Sequence, residues 1–352
     1  MHMADALLSP AVGGTMLAVT AGLTAYSARK LKESPDESRI PLMGVLGAFI
    51  FAAQMINFSI PATGSSGHLG GGMILAILLG PYAAFLVLAS VLVVQALFFA
   101  DGGILALGCN IFNLAFFPCF VAYPFIYRKI VGDSPSRKKI LLGAILSAVA
   151  GLQLGAFSVV LETVASGISE LPFRTFLLLM QPIHLAIGIV EGIVTGAVVT
   201  FVWKARPEVL ESAARNTPLP GVSLRKVLAG LALAAIFTGG ALSWFASTYP
   251  DGLEWSMAKT AGTEELEAPA ERIHTALAAL QEKLAFLPDY GFRPSPAGKD
   301  SQPEAAAAGE NEGKWPAVDP ATTVSGLVGG ALTLTLAGGL GILLRGAVSR
   351  RK

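Results

Sequence analysis

The sequence predicts an all-α integral membrane protein. Its residues are 53% hydrophobic and only 14% charged, with a mean hydropathy of +0.62, whereas a soluble domain carries roughly 25% charged residues. Long apolar stretches recur along the whole chain, and about 20 apolar residues cross a bilayer as one helix. The net charge of +1 over 352 residues gives no indication of a nucleic-acid partner.

Nine apolar segments are predicted to be helical. The segment 69–80 is too short to cross a bilayer alone, so we expect it to be buried between its neighbours or to span only part of the membrane. Cys109 and Cys119 share one predicted helix and lie ~15 Å apart along it. That separation is too large for a disulfide, and both are expected to be packing residues. The nine segments are 8–28, 41–57, 69–80, 82–100, 104–126, 140–165, 174–203, 226–247 and 323–345.

Basic residues predict the orientation of the chain in the membrane. Cytoplasmic loops of membrane proteins are rich in Lys and Arg, and 18 of the 25 basic residues fall in alternate loops, which are therefore expected to be inside. The amino terminus is then outside and the carboxyl terminus inside. The start lacks the basic region of a signal peptide, and we do not expect one there. The inside loops are 29–39, 128–139, 204–226 and 345–352.

The apolar segments fall into two blocks. Residues 1–205 form seven closely linked segments, and a polar cytoplasmic linker follows at 206–224. The second block, 225–352, has two predicted spans that enclose an outside segment at 248–322, with 13 acidic and 6 basic residues. Within it, 270–286 has the pattern of an amphipathic helix, and 293–314 has a composition typical of disorder. We expect this block to act in coupling or assembly.

His2, next to the first residue, suggests a metal site. If Met1 keeps a free amine, a metal bound to that amine and to the His2 amide nitrogen closes a five-membered ring. The same amide nitrogen and His2 Nδ1 close a six-membered ring. Three nitrogens then lie in one plane, a donor set that suits Ni(II) or Cu(II). His68, in the glycine-rich loop "GSSGHLGGG", is on the same predicted side and could supply a fourth nitrogen. The alternative is that His2 belongs to a free, functionless terminus.

Polar residues inside the predicted spans are further candidates. His184 and Glu191 are seven residues apart and share one helix face, and ionisable groups inside a bilayer are usually functional. The alternative is interhelical hydrogen bonding. His274, on the outside amphipathic segment, is expected to be exposed. The residues that could support a metal site are Asn57, Ser65, Asn110, Asn113, His184 and Glu191, and Gln54 and Gln181 are further intramembrane polar groups.

A membrane enzyme is the alternative from a different class. "GSSG" at 64–67 could place Ser66 at a helix start, with His184 as the base of an intramembrane serine protease. The motif has only four common residues and leaves His2 and His68 unexplained. Neither a GxxxxGK[ST] loop nor an HExxH motif occurs, so P-loop nucleotide hydrolysis and metalloprotease activity are not expected.

Several motifs resemble one transporter family. "MHMADALLSP", "GSSGHLGGG", "GCNIFNLAF" and "QPIHLAIGIVEGIVT" resemble the substrate-binding (M-type) subunit of nickel/cobalt energy-coupling factor (ECF) transporters, the NikM/CbiM family. "YPDGLEWSMAK" and "FLPDYGF" are similar to the two-span N-type (PDGLE) subunit, here fused to the first. The resemblance implies a seven-helix ECF substrate-binding bundle in a prokaryotic cytoplasmic membrane, followed by a two-span helical module with an extracytoplasmic loop.

The resemblance also implies ligands and partners. The metal ligands would be the Met1 amine, the amide and imidazole of His2, and His68. Ni²⁺ or Co²⁺ would be the transported substrate, with no other cofactor. A transmembrane coupling (T) subunit and a separate cytoplasmic ATPase pair would drive import, so this chain would not itself be an enzyme. A self-sufficient secondary metal transporter is the alternative. Small residues on the first segment could dock the coupling subunit or pack internally: Gly14, Ala18, Ala21, Gly22 and Ala25.

Overall fold

A computed structural model describes residues 2–33, 36–219, 223–293 and 316–349, with side chains up to 344, and its regular structure is almost entirely helical. The helices in these residues are α1 (Pro10–Glu33), α2 (Ile40–Gln54), α3 (Gly72–Leu79), α4 (Pro81–Val94), α5 (Leu107–Ile111), α6 (Arg128–Val131), α7 (Arg137–Ser166), α8 (Phe173–Ala205), α9 (Pro207–Arg215), α10 (Arg225–Gly240), α11 (Gly252–Ala261), α12 (Arg272–Leu284) and α13 (Pro320–Ser349). One antiparallel hairpin, β1 (Phe58–Ile60) with β2 (Ser65–Gly67), joins α2 to α3.

Local sequence explains where the helices begin and end. Proline starts α1, α4 and α9, because its fixed φ suits the first helical turn and its missing N–H is not needed there. Ser136 caps α7 by accepting a hydrogen bond from the Lys139 N–H. The turn between α3 and α4 requires φ +81 at Gly80, a left-handed conformation that favours glycine.

Five of the described helices are long and apolar enough to cross a membrane. Two of them continue from α-helical into π-helical geometry, at Gln95–Phe99 and at Phe112–Tyr127. The chain is therefore a multi-pass membrane protein. The seven-helix count of the first block and the two-span count of the second stay predictions, since α2 has 15 residues and α10 has 16. The five are Pro81–Phe99, Leu107–Val131, Arg137–Ser166, Phe173–Ala205 and Pro320–Leu344.

The centre of the first block is α3, and every one of its residues is buried. The expectation that the segment 69–80 lies between its neighbours is confirmed, because α4, α7, α8, α9 and the π-helical segment after α5 all contact α3. Cys109 and Cys119 are free and buried, as expected of packing residues.

The small residues of α1 face away from the bundle. All five are exposed, and a Cβ added to Gly14 or Gly22 would have no atom within 4 Å. Two roles were considered for these residues, and the prediction that they pack internally within this chain is wrong. The buried residues of α1 are Gly13, Thr20 and Ser27, on another face.

The second block packs on the first. α10 and α13 both contact α2, and they contact each other. The predicted polar linker contains α9, which packs on α3 and α8. The predicted amphipathic helix at 270–286 is confirmed as α12. Almost all of 293–314, for which disorder was predicted, lies outside the described residues.

Candidate metal centre

The amino-terminal segment enters the bundle, and Met3 fixes it there. Met3 is fully buried. Its N–H donates to Asn110 Oδ1 at 2.7 Å, and its carbonyl accepts from Asn110 Nδ2 at 3.1 Å and from the Gly103 N–H at 3.0 Å. Asp5 continues the attachment, because its Oδ1 accepts from the Ala106 N–H at 2.9 Å. Hydrogen bonds therefore attach the segment to residues 103–110, and they fix the position of the neighbouring residue, His2.

His2 is packed rather than free at the end of the chain. Its side chain is 8% exposed, and its Nδ1 lies 3.1 Å from Asp101 Oδ1. The imidazoles of His2 and His68 are stacked, with centroids 4.9 Å apart and planes 5° from parallel. His2 Nε2 is buried and has no hydrogen-bond partner among the described residues. The structure thus brings together the two histidines predicted as ligands, while Met1 lies outside the described residues.

Two buried side chains hold the loop that carries His68. Glu191 of α8 accepts the Gly70 N–H at 2.7 Å and the Gly71 N–H at 3.2 Å. From the other side, Gln54 of α2 donates to the Gly70 carbonyl at 2.9 Å. Because both attachments follow His68 within three residues, α2 and α8 together determine where its imidazole lies.

The electrostatics around His68 favour a neutral ring. Burial lowers the pKa of His68 to about 3, and its Nδ1 lies 3.1 Å from the Leu69 carbonyl. A neutral imidazole keeps a lone pair for a metal, whereas a protonated one has none. His68 therefore keeps the neutral ring that a metal ligand requires, even well below neutral pH.

His184 lies near His68, in the wall of a very small cavity that both residues line. Its Nδ1 is 2.7 Å from the Met180 carbonyl, as expected of a donor, and its Nε2 has no hydrogen-bond partner in the part of the chain that the structure describes. Asn113 lies beneath the amino-terminal segment instead, where its Nδ2 is 2.7 Å from Glu162 Oε2 and 3.8 Å from Met3 Sδ.

The other polar residues predicted to support a metal site serve the hairpin region. The Ser65 hydroxyl is bonded to the Thr63 hydroxyl at 2.9 Å, and the Asn57 carbonyl accepts the Ser247 N–H at 2.7 Å. Among the described residues no three His, Cys, Asp or Glu side chains converge as a metal-binding group. The predicted ligand set contains two such side chains, His2 and His68.

The second block reaches this site through Asp251, which sequence reasoning missed. Asp251 caps α11 by accepting the Leu253 and Glu254 N–H groups at 2.7 and 2.9 Å, and the Glu254 carboxylate accepts the Asp251 N–H at 2.8 Å. Asp251 lines the same small cavity as His68. Burial raises its pKa, but groups that include His68 and the Glu254 N–H outweigh it, so the pKa of Asp251 lies below its ordinary value. The spacing D-x-x-E is the signal that could have indicated this cap.

Gly252 allows α11 to approach α8 closely. A Cβ at this position would come within 2.6 Å of the Ile183 side chain and 3.1 Å of His184 Cε1. A larger residue at position 252 would therefore push α11 and Asp251 away from the cavity. This explains why a glycine follows Asp251.

α12 covers the amino-terminal segment, and the prediction that His274 is exposed is wrong. His274 is 2% exposed, and its Nε2 lies 2.9 Å from the Leu8 carbonyl. Gln281 donates to the carbonyls of Ala96 and Gly102, both at 2.8 Å. The buried side of α12 is thus paired with residues more than 170 positions earlier in the chain.

The serine-protease alternative finds no support in the geometry. The Ser66 hydroxyl donates to the Tyr249 carbonyl at 2.7 Å, and the Ser66 N–H donates to the Pro250 carbonyl at 2.8 Å. His184 is engaged with the Met180 carbonyl instead. A hydrogen-bonded nucleophile and base, which that chemistry needs, is thus not formed by Ser66 and His184.

Comparison with known proteins gives consistent results. The family model CbiM, "Cobalt uptake substrate-specific transmembrane region", matches residues 2–209, and the PDGLE domain matches 225–346. The chain is 31% identical over 315 residues to the "Fused nickel transport protein NikMN" of Rhodobacter capsulatus, covering 82% of this chain and 88% of that one. It is 29% identical over 221 residues to the "Cobalt transport protein CbiM" of Geobacter sulfurreducens, covering 60% and 61%.

A solved structure described as a truncated transition metal transporter is also similar. It has a TM-score of 0.52 and 33% sequence identity, and the match covers 58% of this chain and 99% of that one.

Proposed function

The chain belongs to the CbiM family of metal transport proteins and carries a fused PDGLE domain, and we propose on that premise that it is the substrate-capture subunit of an ATP-driven importer for Ni²⁺ or Co²⁺. The observation that carries this proposal is the stacking of His2 and His68 in a buried position. The Met1 amine, the His2 amide and imidazole nitrogens, and one His68 nitrogen would bind the ion. A planar set of four nitrogens that includes a deprotonated amide favours nickel.

The organisation we propose has three parts. Residues 1–205 form a seven-helix metal-binding bundle, 206–224 form a cytoplasmic linker, and 225–352 form a two-span module with its loop, 248–322, outside. The amino terminus and the metal site are then outside and the carboxyl terminus inside the cytoplasmic membrane. These assignments rest on the distribution of basic residues in the loops.

We further propose that a transmembrane coupling subunit docks on α1 and that a separate cytoplasmic ATPase pair drives import. The exposed row of small residues on α1 supports this, because small residues allow membrane helices to approach closely. Uptake by this chain alone in liposomes would instead favour the secondary transporter. Metal analysis of purified protein by mass spectrometry, with Ni²⁺ and Co²⁺ in competition, tests the substrate, and a preparation that retains neither ion would refute the proposal.

Acid is expected to weaken metal binding steeply as the pH falls from about 7.5 to 5. An α-amino group, with an ordinary pKa of about 8, and the amide nitrogen must both lose a proton to bind metal. His68 adds little to this loss, because burial already lowers its pKa to about 3 and the ring stays neutral in this range. Titration of Ni²⁺ affinity between pH 5 and 7.5 measures the effect, and a flat profile would exclude these ligands.

Glu191→Gln is expected to weaken Ni²⁺ binding about tenfold. The amide has one acceptor oxygen where the carboxyl group has two, so the Gly70 or Gly71 N–H loses its acceptor, and the His68 loop loosens. Isothermal titration gives the affinity, and hydrogen exchange at 68–71 reports the loop. Gln181→Ala, which removes another interhelical hydrogen bond of α8, is the matched control and should leave both unchanged. Equal losses in the two variants would mean that Glu191 only stabilises the bundle.

A further inference from the structure

One carboxylate joins the predicted ligand His2 to the second block. Asp101 lies in the loop after α4, and its side chain is 23% exposed. Its Oδ1 is 3.1 Å from His2 Nδ1, while its Oδ2 accepts a hydrogen bond from the Tyr290 hydroxyl. Tyr290 belongs to the "FLPDYGF" stretch of the second block, 189 residues further along the chain.

The position of Tyr290 is fixed by several contacts. Its ring is stacked on Phe99, with centroids 5.1 Å apart, and meets Phe51 edge-on at 6.2 Å. Its carbonyl accepts a hydrogen bond at 2.8 Å from the Ser325 hydroxyl of α13. Asp289 and Tyr290 have φ of +49 and +60, and such left-handed residues persist only where surrounding contacts hold them. These contacts direct the hydroxyl at Asp101.

The proposed chelate and Asp101 need the same atom. A six-membered chelate ring with the His2 amide nitrogen uses Nδ1, and Nδ1 is the atom that faces Asp101. One ring nitrogen cannot donate its proton to a carboxylate and its lone pair to a metal at the same time. Metal binding must therefore take Nδ1 away from Asp101, and the carboxylate then keeps the Tyr290 hydroxyl as its donor.

We propose that Asp101 holds the His2 imidazole in the metal-free protein, and that Tyr290 sets how readily Asp101 releases His2 Nδ1 to the ion. Tyr290 is thus a positioning residue for metal capture, supplied by the second block. The inference rests on the proposed function, since it assumes that His2 Nδ1 binds the metal.

The direction of the effect follows from the two states. In the metal-free state the Asp101 carboxylate has two side-chain donors among the described residues, His2 and Tyr290. In the metal-bound state it has lost His2, so the Tyr290 bond matters more there. Removing the hydroxyl destabilises the metal-bound state more than the metal-free state, because an ionised carboxylate left short of donors in a partly buried site is unfavourable.

Tyr290→Phe is therefore expected to weaken Ni²⁺ binding by about ten- to a hundredfold. The phenyl ring keeps the packing on Phe99 and Phe51. The visible d–d spectrum of the bound Ni²⁺ should not change, because neither Tyr290 nor Asp101 is a ligand. Titration of the purified full chain measures both quantities.

A double-mutant cycle separates this role from a structural one. In an Asp101→Asn background the released side chain is neutral, so Tyr290→Phe should change affinity by less than about threefold. An equal loss in both backgrounds, or no loss in the single variant, overturns the proposal, and so does an altered spectrum. Ser325→Ala loosens Tyr290 through its carbonyl and should weaken binding in the same direction, which provides a test if Tyr290→Phe does not fold. If the wild-type chain binds neither Ni²⁺ nor Co²⁺, the proposed function fails, and this inference with it.

Discussion

His68→Ala is expected to lose more than about a hundredfold in Ni²⁺ affinity. Removing a group that merely orients a metal ligand typically costs 10- to 100-fold, so removing a direct ligand should cost more. His68 is buried against His2, at 4.9 Å between ring centroids, and no other described histidine is stacked on His2. Equilibrium dialysis of the purified chain with Ni²⁺ measures the loss, and uptake in cells that express the partner subunits should fall with it.

Ser66→Ala is the matched control in the same loop. Ser66 is also fully buried, but its hydroxyl donates to the Tyr249 and Pro250 carbonyls, at 2.7 and 3.2 Å. Loss of that neutral hydrogen bond is expected to cost about 1 kcal/mol of stability and to leave most metal binding and uptake intact. An inactive Ser66→Ala variant beside an active His68→Ala variant would reverse the assignment and restore the protease alternative.

The parts of the site that could be predicted are those set by local chemistry. The burial of 69–80 follows from its length and composition, and the proximity of His2 to a second histidine was expected from the chelate that bond geometry allows there, although the chelate itself stays a prediction. His68 could be associated with His2 because the basic loops place both on one side of the membrane. Each of these inferences depends only on residues that are adjacent in sequence or on a property of the bilayer. The tertiary fold does not have to be known for either.

The parts that were missed depend on contacts between distant residues. Asn110 holds both backbone groups of Met3, 107 residues away, and the asparagine gives no local sign of its partner. His274 was expected to be exposed because it lies on a polar amphipathic helix, yet that helix covers the amino-terminal segment. The pattern of α12 predicts a helix with one protected face, and only the fold shows what protects it.

The contacts of the second block could likewise not be predicted. Its outside segment is acidic, from which we expected a weakly structured loop that acts in coupling or assembly, and that role stays a prediction. In the structure Asp251 lines the small cavity with His68, and the Tyr290 hydroxyl donates to Asp101, which contacts His2. Acidic side chains near a proposed cation site have a physical use, because they offset the charge of the ion and of any protonated imidazole.

Adding one residue before Met1 is expected to separate metal binding from transport. The new terminus would offer an amine, two amides and the His2 imidazole, which are four nitrogens in one plane without help from the rest of the protein. Met3 is bonded through its N–H and its carbonyl to Asn110, and through its carbonyl to Gly103. The chain therefore cannot slide to absorb the insertion, and His2 remains beside His68.

The extended protein should still hold Ni²⁺, but the plane is now complete and His68 is excluded from it. The ion then no longer links the terminus to the 58–68 loop, so occupancy of the site cannot be transmitted to the bundle. We expect normal metal content with uptake reduced to background, whereas a retained formyl group or a bulky tag, which blocks the amine, should abolish both. Metal content and uptake are measured side by side on the native and extended forms, with the terminus of each verified by mass spectrometry. Normal uptake by the extended form would show that the free Met1 amine is not a ligand, since the extension converts that amine into an amide.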